Sequence, residues 1–246
     1  MKEFVCIGMA CIPERVVNLR KSVPVLAAQC DRLHIHLNGA KAFPKEAWTA
    51  LPSVTLSRSD KNLGDAEKLR ALHCFEGWYL TVDDDILYPT DYVERLVSEL
   101  ESVNRWGVSC VHGSYFNARS TEERHFMDRR VMFGYQQARD KTTRVLIPGT
   151  GTACFHTSMF KPLRSLAEHM NMLDIYIASW AATEGLPIYC VPRKQDWLQD
   201  LPNHGYAAAA ERPMDFMQEV VDQHWAGILA MHADLSKGKD TNRSTQ

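Results

Sequence analysis

The stretch "WYLTVDDDILYPTD" over 78–91 places three consecutive carboxylates, Asp83, Asp84 and Asp85, at the end of an apolar run. Trp78, Tyr79, Leu80 and Val82 suit a buried strand, while three adjacent negative charges at its end oppose folding through repulsion and desolvation. A positive partner is expected there. Side chains alternate along a strand, so Asp83 and Asp85 should project to one side and Asp84 to the other. Two converging carboxylates make a seat for a hard divalent cation. The competing reading is a solvated acidic turn.

The elements that would position these carboxylates read as an alternation. "FVCIGMA" (4–10) is strand-like, and the following apolar spacing fits a helix from near Pro13, interrupted at Pro24. Strands are expected at 32–37 and 53–58, and a turn at Gly64 feeds a helix holding Ala66, Leu69 and Leu72. After the acidic strand, Thr90 can cap a helix with Tyr92, Leu96, Val97, Leu100 and Val103 on one face. Strands follow at 107–113, at 144–156 around a glycine turn, and at 187–191, with a helix ending at Gly185 before the last. A further amphipathic helix carries Phe216, Val220, Val221, Trp225, Ile228 and Leu229. Strand and helix alternating at short spacing predict an α/β fold with a mostly parallel central sheet flanked by helices, and ligands bind beyond the carboxyl ends of such strands.

The 246 residues suit a single domain, expected over 1–235, with a nucleotide-binding half at about 1–113 and an acceptor half at about 144–235. Between them, 114–143 is polar and rich in arginine, including Arg119, Arg124, Arg129, Arg130 and Arg139, and reads as a loop or lid. Residues 236–246 lack apolar side chains and read as a disordered tail. A formal net charge of −2 gives no electrostatic reason to expect nucleic acid. Seven singly spaced cysteines without a C-x-x-C pair read as free thiols in a cytoplasmic protein. No run reaches the ~18 apolar residues of a membrane span; peripheral membrane contact is left open, without an amphipathic basic helix to support it. His34 and His36 share a strand face and read as structural, since a zinc site needs more ligands.

In order, "GMACIPER" after the first strand, Asn38 at the end of the second, "NLGDAEK", Asp83-x-Asp85 followed by "LYPTDYVERL", "GTGTACF", Asp174 opening a later helix and "PIYCVP" together resemble the GT-A glycosyltransferases of the family-two kind, over most of residues 3–205. The resemblance implies a single Rossmann-like GT-A domain and a hexosyl- or N-acetylhexosaminyltransferase that draws on a nucleotide sugar, UDP above others, and acts on a glycan or lipid-linked glycan in polysaccharide biosynthesis. It implies Mn²⁺ or Mg²⁺ held by Asp83, Asp85 and a later histidine, His204. Pro13, Arg15, Asn38, Asp60, Lys68, Asp83 and Asp84 would surround the nucleotide sugar, with Asp65 close to Lys68. Gly149, Thr150 and Gly151 would line the acceptor site. For an inverting transfer Asp174 would be the base, although it follows Leu173 where the family carries a second acid; the competing reading is an acid favoured by the helix dipole. Two alternatives share the fold. A sugar nucleotidyltransferase would open with a glycine-rich loop that "GMACIPER" lacks, and a binding module would have lost turnover.

Overall fold

The structure is a computed structural model, which describes residues 3–116, 130–162, 164 and 170–202. The first strand, β1 (Val5–Cys11), runs through the 3-10 turn Pro13–Asn18 into α1 (Leu19–Ala27), and β2 (Arg32–Leu37), β3 (Val54–Arg58) and β4 (Trp78–Val82) follow. After the two-residue β5 (Ile86–Leu87) come α2 (Tyr92–Glu101), β6 (Val108–Cys110), β7 (Gly113–Phe116), β8 (Arg130–Phe133), β9 (Thr143–Val145), β10 (Ile147–Pro148) and β11 (Thr152–His156). The last elements are α3 (Leu173–Thr183), β12 (Ile188–Cys190) and β13 (Gln199–Asp200).

An eight-stranded sheet in the order β3-β2-β1-β4-β11-β6-β12-β9 forms the centre. β3, β2, β1 and β4 are mutually parallel, β11 runs antiparallel between β4 and β6, and β12 is parallel to β6. The sheet is covered on both faces, which explains the nearly continuous apolar runs. Val5, Ile7, Met9 and Cys11 of β1 meet Leu19, Val23 and Leu26 of α1 and Leu96 and Leu100 of α2 on one side; Cys6 and Tyr79 face Leu69, Leu72, Tyr176 and Ile177 on the other. The expected α/β class with a mostly parallel sheet is observed. No described helix is long and apolar enough to cross a membrane.

Several local expectations need correction. The segment after Gly64 forms two 3-10 turns, Asp65–Leu69 and Leu72–Cys74, instead of one helix. Thr90 is not the cap of α2: Asp91 takes that position without a capping side-chain bond, and its carboxylate accepts from Trp197 Nε1 at 3.0 Å. The stretch 114–143 is not only a loop, because β7 and β8 pair antiparallel within it and β10 adds to their sheet. Its polar composition concealed two aromatic anchors, Tyr115 and Phe133, whose rings lie 5.6 Å apart against the core while the Arg139 guanidinium covers Phe133 at 3.6 Å. Residues 117–129, the helix expected around Phe216 to Leu229 and the tail at 236–246 lie outside the described residues.

Candidate active site

β4 ends at Val82, so Asp83 to Asp85 lie in the turn beyond the strand, where alternation no longer applies. All three aspartates line one cleft of about 160 Å³ at the carboxyl end of the parallel strands. Asp84 therefore does not point away as expected; it is the most buried of the three, at 4% exposure. The positive partners are Arg15 and Lys68. Arg15 Nη1 lies 2.7 Å from Asp84 Oδ1 and 3.2 Å from Asp85 Oδ2, and Lys68 Nζ lies 2.5 Å from Asp83 Oδ1. Burial raises the pKa of the Asp84 carboxyl and Arg15 opposes it. Asp85 is pushed up to about 6, by burial first and by the charge of Asp83 second. Burial works against the Lys68 ammonium, but Asp83 and Asp65 outweigh it and its pKa is raised.

Local packing fixes these groups. The Lys68 carbonyl passes so close to β1 that a Cβ on Gly8 would sit 1.8 Å from it, and the Tyr79 hydroxyl donates to the same carbonyl at 2.7 Å. Behind Lys68, the buried Glu67 accepts from Arg70 at 2.5 Å and Arg164 at 2.6 Å, which anchors the 3-10 turn. The Tyr88 hydroxyl accepts from the Asp83 backbone N–H and donates to the Gly151 carbonyl, both at 2.7 Å, so one buried phenol pins the acidic turn to the glycine turn. Asp65 Oδ2 accepts from Leu173 N–H at 3.2 Å at the start of α3 and ties the cleft to the helix that carries Asp174.

A second pocket of about 180 Å³ adjoins the first and shares Asp83 and Thr150 with it; Asp174, Gly149 and Gly151 line it, together with His112 and Tyr135. The glycines are required by close approach. A Cβ on Gly151 would fall 2.0 Å from Asp83 Oδ2, and one on Gly149 would meet the His112 side chain at 2.7–2.9 Å.

Of the residues expected around a ligand, Arg15, Asn38, Lys68, Asp83, Asp84, Asp85 and Thr150 come together in the first cleft, and Gly149, Thr150, Gly151 and Asp174 in the second. Pro13 and Asp60 line neither: Pro13 is exposed at the start of its 3-10 turn, and Asp60 is exposed and paired with Arg58 at 2.5 Å. Asn38 lines the cleft with its amide already engaged, accepting from Leu63 N–H at 3.1 Å and donating to the Gly64 carbonyl at 2.9 Å. His204 lies outside the described residues. His34 and His36 bond to hydroxyls of β3 and the residue beyond it, with His36 reaching Ser57 at 2.8 Å and Ser59 at 3.0 Å, in keeping with a structural part. Sequence reasoning missed Asn62, Tyr88, His112, Tyr135 and Asn171. Asn62 and Tyr88 fall inside "NLGDAEK" and "LYPTDYVERL", and His112 inside the strand expected at 107–113, but none of them takes a role from those stretches.

No protein-family model matches the chain, and no curated protein does. Among solved structures, the crystal structure of S. aureus TarS 1–349 in complex with UDP-GlcNAc superposes with a TM-score of 0.60 at 12% sequence identity, over 93% of this chain and 67% of that one. The fold is GT-A-like. In this GT-A-like domain β1 leads directly into the turn at Pro13, with no glycine-rich loop between them, and the acidic turn lies where the parallel strands end.

Proposed function

We propose that the chain is a glycosyltransferase of the inverting, family-two kind, moving a sugar from a nucleoside-diphosphate sugar, with UDP as carrier, to a hydroxyl of a glycan or lipid-linked glycan. One observation carries this reading: a charged cleft and a pocket holding Asp174 share Asp83 and Thr150. A displacement at C1 needs a place for an anionic leaving group on one side and a general base on the other. The UDP-GlcNAc bound to TarS supports UDP as the carrier.

An excess of carboxylates supports Mn²⁺ or Mg²⁺ as part of this reading. Asp65, Asp83, Asp84 and Asp85 line the cleft against Arg15 and Lys68, so the residues alone leave two negative charges over. Among the described residues no group of three or more His, Cys, Asp or Glu side chains is placed to hold an ion. The protein would then offer Asp83 and Asp85, with phosphate oxygens and water completing the shell, as Mg²⁺ commonly requires. Such an ion, when bound, stabilises the diphosphate as it leaves.

The chain's own residues carry the remaining roles. Arg15 holds Asp84 and Asp85 in place, and Lys68 supplies a cation next to the diphosphate. Asp174 takes the proton of the acceptor hydroxyl as the oxygen bonds to C1 and the bond from C1 to the phosphate oxygen breaks. The test is a thermal-shift panel of UDP, GDP, CMP and dTDP, each with Mn²⁺, Mg²⁺ or EDTA. A ligand at a hundred times its Kd stabilises by about 2.7 kcal/mol, which raises the midpoint by roughly 5–10 °C in a chain of this size. A metal-dependent shift with UDP that disappears in Asp85→Ala supports the reading. No shift with any diphosphate sinks it.

A further inference from the structure

The pocket that contains Asp174 has a side with no assigned role. His112 and Tyr135 stand there with ring centroids 5.9 Å apart and planes inclined at 50°. Both are half-buried and both are held from behind. Thr152 Oγ1 accepts from the backbone N–H of Val111 at 3.2 Å and of His112 at 2.9 Å, and donates to the Gly149 carbonyl at 3.1 Å, which locks the histidine's peptide to the glycine turn. The absent side chain of Gly149 leaves the space that the imidazole fills. The Tyr135 hydroxyl is committed to the Asp200 carboxylate, which also accepts from Gln136 Nε2 at 2.6 Å. With its hydroxyl engaged, Tyr135 has its ring left to contribute to the pocket lining.

The charge of this pocket differs from that of its neighbour. Among the described residues that line it, the ionised groups are the carboxylates of Asp83 and Asp174, with neither lysine nor arginine. An anionic ligand would meet the Asp83 and Asp174 carboxylates, of which only Asp83 is paired with a lysine, Lys68 at 2.5 Å from outside the lining, an arrangement that disfavours it. A ring with an apolar C–H face and a rim of hydroxyls suits both the aromatic side and the polar remainder.

We propose that His112 and Tyr135 are acceptor-specificity residues, forming a wall that receives an uncharged saccharide ring and turns one of its hydroxyls towards Asp174. The name acceptor rests on the transferase reading; the preference for a neutral ring rests on the pocket itself. Tyr135 contributes stacking through its ring, and His112 closes the pocket beside the glycine turn with a polar edge.

Saturation-transfer NMR tests this on the full chain with UDP and Mg²⁺ present. The neutral probes are the methyl glycosides of glucose, galactose and mannose, and the anionic probes are methyl glucuronide and glucose 6-phosphate. Transfer is expected to ring C–H protons of at least one neutral glycoside, with markedly less to the anionic probes. Tyr135→Ala and His112→Ala should each reduce it by about fivefold or more, the loss of an aromatic contact, while Tyr135→Phe keeps at least about half. Tyr135→Leu, apolar but not aromatic, replaces the alanine variant if that one does not fold. Every variant should retain the thermal shift with UDP, since neither residue lines the first cleft. Equal transfer to anionic probes, unchanged transfer in the alanine variants, or a Tyr135→Phe loss as large as that of Tyr135→Ala overturns the assignment. UDP binding without any glycoside signal overturns the acceptor wall and leaves the donor reading standing; absence of both overturns the two together. A glycoside signal that depends on the wall without UDP binding supports the wall and removes the donor reading.

Discussion

Two pockets meet at Asp83 and Thr150, and they handle charge in opposite ways. The first, at the ends of β1, β2 and β4, sets four carboxylates against two buried cations, each held in a direct ion pair. The second, built by β6, the β10–β11 turn and α3, has rings, hydroxyls and carboxylates but no cation among its described lining. On the proposed transferase reading the difference would suit a displacement reaction: opposed charges would collect where a diphosphate departs, and the pocket where a hydroxyl loses its proton would be left without a cation in its lining to compete for the base. If this division is real, Asp174→Asn should cost about 10²–10⁴-fold in kcat, the range for a general base, with UDP affinity unchanged within about twofold. Kinetics beside a thermal-shift titration measure both quantities. UDP affinity falling in step with the rate would mean that the two pockets are not separable.

The next largest effect belongs to the first pocket. Arg15 and Asp84 are nearly enclosed, with side-chain exposures of 10% and 5%. Arg15→Met removes the guanidinium and leaves Asp84 buried without its counter-charge, which costs about 3–5 kcal/mol and lowers the thermal midpoint by roughly 6–20 °C. His112→Ala, on the half-buried wall of the second pocket, should cost clearly less. Calorimetry on the two variants sharpens the contrast, and equal losses would show that the ion pairs are not what holds the first pocket together.

How much of this was legible beforehand follows from the range of each interaction. β1, β2 and β4 could be read because strands covered on both faces keep apolar runs, and Asp83 and Asp85 stood out because carboxylates seldom close such a run. The orientation of Asp84 could not be read, because one residue of strand length decides whether alternation continues, and β4 ends at Val82. Asn38 has the right position, but its amide is taken up by residues 63 and 64, a contact across 25 residues that no periodicity encodes. Tyr88, His112 and Tyr135 join the site through packing between distant segments, while Tyr115 and Phe133 anchor β7 and β8 inside a stretch whose average is polar.

Acid should weaken the first pocket from behind. His36 is fully buried on β2, and burial lowers its pKa to about 4 even though Glu67, at 3.7 Å, pulls the other way. In the unfolded chain the same imidazole titrates near 6.5. Between these values the unfolded state binds a proton that the folded state does not, so stability is full above about pH 6.5 and declines as pH falls towards 4. The His36 share of the loss between pH 7 and pH 5 is on the order of 2 kcal/mol. His34, which burial also lowers to about 4, adds a share of the same sign, and Asp85, raised to about 6, opposes both, so His36→Gln should reduce the fall in urea midpoints without abolishing it. Because His36 faces the Glu67 anchor of the turn that carries Lys68, hydrogen exchange at residues 62–69 should quicken at pH 5 before that at 149–152. Simultaneous loosening of both would argue against a support private to the first pocket.

The smallest effects separate the pockets most finely, because they arise from two glycines only two residues apart. A methyl group on Gly151 would lie 2.0 Å from Asp83 Oδ2 and 2.5 Å from its Cγ, so Gly151→Ala must push the carboxylate off its place beside Lys68. A methyl group on Gly149 meets His112 instead, at 2.7 Å from its Cβ and 2.8 Å from its Cδ2, and displaces the ring without touching the acidic turn. Overpacking of this kind commonly costs about 1–3 kcal/mol, enough for roughly a tenfold change in affinity where the displaced group is the one that binds. Gly151→Ala is therefore expected to weaken UDP binding in Mg²⁺ about tenfold. Gly149→Ala should leave UDP binding intact and reduce saturation transfer to the neutral glycosides. Calorimetric titration of UDP with both variants decides the matter: if Gly149→Ala weakens UDP as much as Gly151→Ala does, the glycine turn moves as one body and the two pockets share a single rigid wall.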